Sequence, residues 1–322
     1  MPLDPPPPDP ITLADEFEAL SRNIGAVLLG KPRAIRLCLV ALLAEGHILL
    51  EDVPGTGKTT LARALALSID AHFQRIQFTS DLLPGDVLGV AMPKPEGHGF
   101  QFQKGPIFAN IVLADELNRC SPRTQSALLE CMNEAKVSVD GTTHHLPLPF
   151  LVLATQNPLD FEGTYPLPES QLDRFLFRIR LGYPERHVER DLMQSRRGIN
   201  PLESLKPAIS IESVQQGISA VRNVKVSDEL YDYGLDVLAA TRQPASFLLG
   251  ASPRAGLAWV RAAQAHAFLE GRDYCTPDDL KELAIPCLAH RMVPLHPDTH
   301  IGANTGSETT LAQLLDTVHA PH

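Results

Sequence analysis

The sequence predicts an open α/β domain with a five-stranded parallel sheet, followed by an all-helical domain. Three observations predict it. Short apolar runs of four to seven residues, rich in Ile, Leu, Val and Phe, recur between residues 45 and 183. Helical stretches separate them and supply the crossovers that a parallel sheet requires. Past Tyr183-Pro184 the strand signals stop, and helical periodicity continues alone.

The length of 322 residues exceeds a typical single domain, so about two domains are expected. An apolar fraction of 44% excludes wholesale disorder. No apolar run approaches the ~20 residues that span a bilayer, so no membrane insertion is expected. The net charge of −10 argues against nonspecific nucleic-acid binding, which favours a basic surface. Five cysteines, with no CxxC, read as reduced thiols in a cytoplasmic protein.

Residues 1–10 hold six prolines and two acids and read as an extended leader, not a signal peptide. A core domain is expected over 11–184. Residues 12–29 carry helical periodicity with Thr12 as N-cap, and a second helix runs from Pro32 to Ala44. The five strands are His47–Glu51, Phe73–Phe78, Ile111–Ala114, Phe150–Ala154 and Phe175–Leu181. Two segments break the alternation. Residues 84–108 are rich in Gly and Pro and suggest a protruding hairpin. Residues 136–149 contain Asp140-Gly141, a hairpin turn signal. A helical domain is expected over 185–322, with helices at 185–197, 211–221, 227–242, 253–270, 277–291 and 308–318.

Chemistry concentrates at strand ends. Pro54, Gly55, Thr56, Gly57, Lys58, Thr59 and Thr60 follow the first strand and open a helix. Glycines leave backbone N–H groups open to a phosphate, and a helix amino terminus adds its dipole. Lys58 would reach the β- and γ-phosphates and Thr59 would ligate Mg²⁺. The GxxxxGK[ST] pattern lacks its first glycine, because Asp52 stands there. Asp52 disfavours binding if it points at the phosphates, and is harmless if it faces away. About 55 residues later a buried strand ends in Asp115-Glu116. Asp115 is the second metal-holding candidate, and Glu116 is the candidate general base. The next strand ends at Asn157, placed to bond the attacking water or the γ-phosphate.

This set resembles an AAA+ ATPase, and more narrowly the MoxR family. The resemblance rests on Gly46–Gly55, Asp115–Arg119, Thr124–Glu130, Ala154–Pro158, Glu169–Phe175 and Gly250–Arg254, and it covers nearly all of residues 20–295. It implies a P-loop core with two hairpin insertions facing a central pore or a partner, and a helical lid. It also implies a Mg²⁺-dependent ATP hydrolase in a ring, typically hexameric. Such proteins act as chaperone-like remodelers in client or metalloenzyme maturation, often beside a von Willebrand factor A domain partner. Arg174 resembles the arginine finger that serves a neighbouring subunit, with Arg119 and Arg123 as competitors. Arg254 resembles sensor 2, expected to contact the nucleotide of its own subunit. Lys31 stands where the family usually carries Gln, which puts the adenine-side contacts in doubt.

Other candidates weigh less. His144 and His145 point to opposite hairpin faces and cannot easily share a metal. Cys120 and Cys131 read as buried thiols, and Trp259 as core. Alternatives to the remodeler are a metal-chelatase-type motor subunit, a nucleic-acid or transcription-associated motor, and a scaffold that binds nucleotide without hydrolysis. With few residues left beyond core and lid, client specificity is expected from the hairpins, the ring faces or a separate chain.

Overall fold

The computed structural model describes residues 10–94, 100–158, 163–195, 201–295 and 305–321. The first nine residues of the proline-rich leader lie outside them. Two helices come first, α1 (Pro10–Gly25) and α2 (Pro32–Leu43). α1 starts two residues before Thr12, so Thr12 lies inside the helix and is not its N-cap.

The core alternates as expected: β1 (Ile48–Glu51), α3 (Lys58–Ser68), β2 (Phe73–Gln77), α4 (Pro84–Leu88), β3 (Gly89–Pro93), β4 (Phe100–Lys104), β5 (Ile111–Asp115), α5 (Pro122–Glu134), β6 (Lys136–Val139), β7 (Thr142–His145), β8 (Leu151–Gln156), α6 (Glu169–Leu172) and β9 (Phe177–Ile179). The central sheet has the order β2-β5-β8-β1-β9, and every pairing in it is parallel. β1, β5 and β8 are almost wholly buried, which explains their unbroken apolar runs. The insertions are antiparallel hairpins, β3–β4 and β6–β7. They touch: the Phe102 ring stacks on His144 at 4.1 Å between centroids.

The remaining elements are α7 (Arg186–Ser195), α8 (Ile211–Val221), α9 (Asp228–Thr241), β10 (Phe247–Leu249), α10 (Pro253–Leu269), α11 (Pro277–Leu288), β11 (Val293–Pro294) and α12 (Thr305–Thr317). Ser210, Ser227 and Ser252 cap α8, α9 and α10 with their hydroxyls. Among the described residues the region also carries an isolated bridge between Lys225 and Tyr274 and the antiparallel ribbon β10–β11, which periodicity alone missed because each strand is so short. Trp259 is fully buried, and its indole N–H donates to Leu280 O at 2.8 Å, in agreement with the core reading. The amino-terminal helices share this core. Phe17 of α1 packs edge-on against Phe268 of α10, with centroids 5.9 Å apart. One hydrophobic cluster therefore runs from the sheet through α1 and α2 into the helical region. Among the described residues, no helix is long and apolar enough to cross a membrane.

Candidate functional site

In an open parallel sheet, ligands sit at the carboxyl ends of the strands. Here those ends gather the loop after β1, Gln77, Asp115-Glu116, Gln156-Asn157 and Leu181-Gly182. In the loop, Gly55 and Gly57 adopt φ of 85° and 101°, which disfavour any side chain. No side chain caps α3, so its first-turn N–H groups stay available to an anion. The Thr56 hydroxyl donates to Val53 O at 3.2 Å and stiffens the turn. Lys58 Nζ folds back onto the loop, donating to Asp52 O at 2.6 Å and Val53 O at 3.3 Å. Partial burial draws this ammonium below the usual lysine range, against the opposing pull of Asp52, Asp115 and Glu116.

Asp52 faces away from the phosphate cradle. Its Oδ1 accepts Val53 N–H at 2.9 Å, and its Oδ2 accepts Gly182 N–H at 2.6 Å. Lys31 braces the same strand exit, donating to Leu181 O, Gly182 O and Tyr183 O at 2.6, 3.0 and 2.8 Å. Three carbonyls saturate the three ammonium protons, so Lys31 has none left for a nucleotide base.

The acids are individually held. Asp115 Oδ1 accepts the Thr155 hydroxyl at 2.6 Å, and Oδ2 accepts Arg75 Nη2 at 2.5 Å. Thr155 Oγ1 also receives Glu116 N–H at 2.9 Å, joining β8 to the end of β5. Glu116 has a left-handed backbone, φ 59°. Its Oε2 accepts Gln77 Nε2 at 2.7 Å and pairs with Arg119 Nε at 3.2 Å. Asn157 follows β8 on the same edge and is half-buried. Arg75, Gln77 and Thr155 escaped the sequence reading. The signal for the first two was that Gln74, Arg75 and Gln77 make three of the five residues of β2 polar.

The two catalytic-candidate arginines lie at the other end of the sheet. Arg174 precedes β9 and donates Nη1 to Leu129 O at 2.7 Å. Its neighbour Asp173 accepts the Ser252 hydroxyl at 3.1 Å and pairs with Arg291 Nη1 at 3.2 Å. Asp173 thus fixes the amino end of α10, two residues before Arg254. Gly182, bonded to Asp52, lies beyond the opposite end of β9. Arg254 follows Ser252 in the first turn of α10, beside Asp173. It is exposed and makes no hydrogen bond or ion pair among the described residues. It lines a groove of about 1030 Å³ with Tyr231, Leu235, Leu257 and Arg261. Of the competing fingers, Arg119 is engaged by Glu116 of its own chain, and Arg123 is exposed in the first turn of α5.

The model of the ATPase family associated with various cellular activities (AAA) matches residues 47–177, and that of the AAA lid domain matches residues 239–310. The chain is 49% identical to the uncharacterized protein YeaC of Bacillus subtilis over 93% of each chain. It is 39% identical to chaperone MoxR1 of Mycobacterium tuberculosis, covering 96% of this chain and 84% of that one. Protein MoxR of Paracoccus denitrificans is 31% identical, with 86% and 88% covered. A solved structure from Cytophaga hutchinsonii matches with a TM-score of 0.88 at 37% identity, over 98% of this chain and 97% of that one. The chain belongs to the MoxR family of AAA ATPases. It is a nucleotide-binding enzyme that hydrolyses ATP.

Proposed function

We propose that this ATPase works as a homo-oligomeric ring, hexameric as in its family, and that each nucleotide lies between two copies. The observation that carries this reading is the separation of its parts. The loop, Asp115-Glu116 and Asn157 occupy one end of the sheet, and Arg174 and Arg254 the other. Two copies packed end to face would bring both sets to one phosphate. The exposed Leu257 and Leu235 beside Arg254 support burial of that groove against a neighbour.

Within one interface the roles follow from the chemistry. Pro54 to Gly57 shape the cradle, and the N–H groups through Thr60 bind the β- and γ-phosphates with Lys58. The Thr59 hydroxyl and Asp115 carboxylate are hard oxygen donors at the loop and at the end of β5, a set that fits Mg²⁺. Bound Mg²⁺ neutralises phosphate charge. Glu116, released from Gln77 and Arg119, accepts a proton from the attacking water, and Asn157 orients that water or the γ-phosphate. Arg174 and Arg254 from the next copy neutralise charge developing on the transferred phosphoryl group.

The work done with this energy is remodeling of protein clients in maturation or assembly, beside a von Willebrand factor A domain partner, in the cytoplasm. Support comes from the chaperone name of the Mycobacterium relative. Phe100, Val90 and Met92, exposed on the β3–β4 hairpin, offer apolar contact. The test is Glu116→Gln. It should abolish turnover, keep ATP binding and retain a client on affinity capture. Unchanged turnover would remove Glu116 as base, and a trap that binds ATP but holds no client would remove the remodeling role.

A further inference from the structure

A second cluster of charges touches the strand ends without touching the phosphate cradle. Glu51 is the last residue of β1, directly before the loop. Gln156 is the last residue of β8, directly before Asn157. The two are register partners, and Gln156 Nε2 donates to Glu51 Oε1 at 2.9 Å. Glu51 Oε2 accepts Arg180 Nη2 at 3.1 Å, with Arg178 Nη1 at 3.8 Å. Both arginines also meet Glu308 of α12, Arg178 Nη2 at 2.8 Å and Arg180 Nη1 at 3.5 Å. The Arg178 side chain is only 5% exposed, so its charge depends on these two carboxylates. α12 is otherwise anchored away from the sheet, through buried Leu311 and through the Ser307 hydroxyl bonded to Met292 O.

We infer that Glu308 is a positioning residue for hydrolysis: through Arg178 and Arg180 it sets Glu51, and through Glu51 the Gln156–Asn157 end of β8. The inference rests on the reading of Asn157 as a hydrolytic residue. Two carboxylates share two guanidinium groups. When Glu308 loses its charge, both arginines turn to Glu51, the one carboxylate left. Glu51 is then drawn from Gln156, and the segment that carries Asn157 loses its brace. The phosphate loop keeps its own bonds through Asp52 and Lys58, so nucleotide binding persists. The last helix of the chain thereby acts on the catalytic step from outside the site.

The test is steady-state ATPase kinetics of the full chain with Glu308→Gln, Glu308→Asp and Gln156→Ala, at a temperature well below each measured melting point. Glu308→Gln should lower kcat on the order of fivefold with KM for ATP unchanged. Glu308→Asp should restore most of it. In the double variant Glu308→Gln/Gln156→Ala, kcat should match that of the worse single variant, because both break one chain of contacts. Three results would overturn the inference: an unchanged kcat, a loss confined to KM, or two effects that multiply. A kcat that survives Asn157→Ala as a single substitution would instead overturn the reading of Asn157, a separate failure.

Discussion

Gln77 donates its side-chain N–H to Glu116 at 2.7 Å, so the proposed base is engaged by the adjacent strand β2. That hydrogen bond occupies a carboxylate lone pair that would otherwise be open to the proton of the attacking water. Gln77→Ala should therefore release Glu116 and raise basal ATPase about twofold or more, since a lost bond to a charged group is worth about 1.5–3 kcal/mol before relaxation. Basal kcat measured without any partner checks this, and a fall would show that Gln77 aims Glu116 instead of holding it back.

Asp52 makes an unusual case, because replacing it with the glycine of the general pattern should harm the protein. Asp52→Gly orphans Gly182 N–H and Val53 N–H, which costs about 1–3 kcal/mol for each group that remains buried. Asp52→Asn keeps an acceptor and should cost less. Urea unfolding of both variants gives the order, and a Gly variant as stable as wild type would contradict the role assigned to Asp52.

Lys58→Ala removes the one cation that the loop offers to phosphate. Its expected effect is a loss of about ten- to a hundredfold in ATP affinity, the size of a charged hydrogen bond. Equilibrium binding of a fluorescent ATP analogue measures it. An unchanged Kd would place the phosphates elsewhere.

His47 gives the protein a defined acid sensitivity. It is fully buried between Met132 O, 2.7 Å from Nε2, and Val152 N–H, which donates to Nδ1 at 3.1 Å. Burial holds its pKa at about 4, against 6.5 in the unfolded chain. Between these values the unfolded chain binds the extra proton, so stability is complete above pH 6.5 and falls as pH drops toward 4. The loss from pH 7 to pH 5 is about 2 kcal/mol. Buried His290 acts in the same direction. Urea unfolding at the two pH values should show the loss, and His47→Gln should reduce it. A slope unaffected by the substitution would assign the sensitivity to other groups.

Much of the site was legible because its parts are contiguous. A loop from Gly55 to Thr59 and a strand ending Asp115-Glu116 declare themselves in a few residues, since strand, turn and helix must follow one another locally. What was not legible depends on strands far apart in the chain. Thr155 matters only because β8 lies beside β5, and Gln77 only because β2 does. Asp52 could not be oriented until Gly182, 130 residues later, was seen to occupy it. The surroundings of Arg254 were hidden for the same reason. A helix capped by Ser252 looks alike wherever it docks, and Asp173 fixed its place.

The central claim is that the active site forms between copies, and mixing two dead variants tests it most directly. Lys58→Ala chains lack the cradle but carry intact arginines. Arg174→Ala/Arg254→Ala chains lack both arginines but carry an intact cradle. Random assembly at equal amounts gives about a quarter of interfaces an intact cradle facing intact arginines. ATPase activity, absent from each variant alone, should return to roughly that fraction in the mixture. A mixture as inactive as its components, with oligomers confirmed by sedimentation, would contradict it.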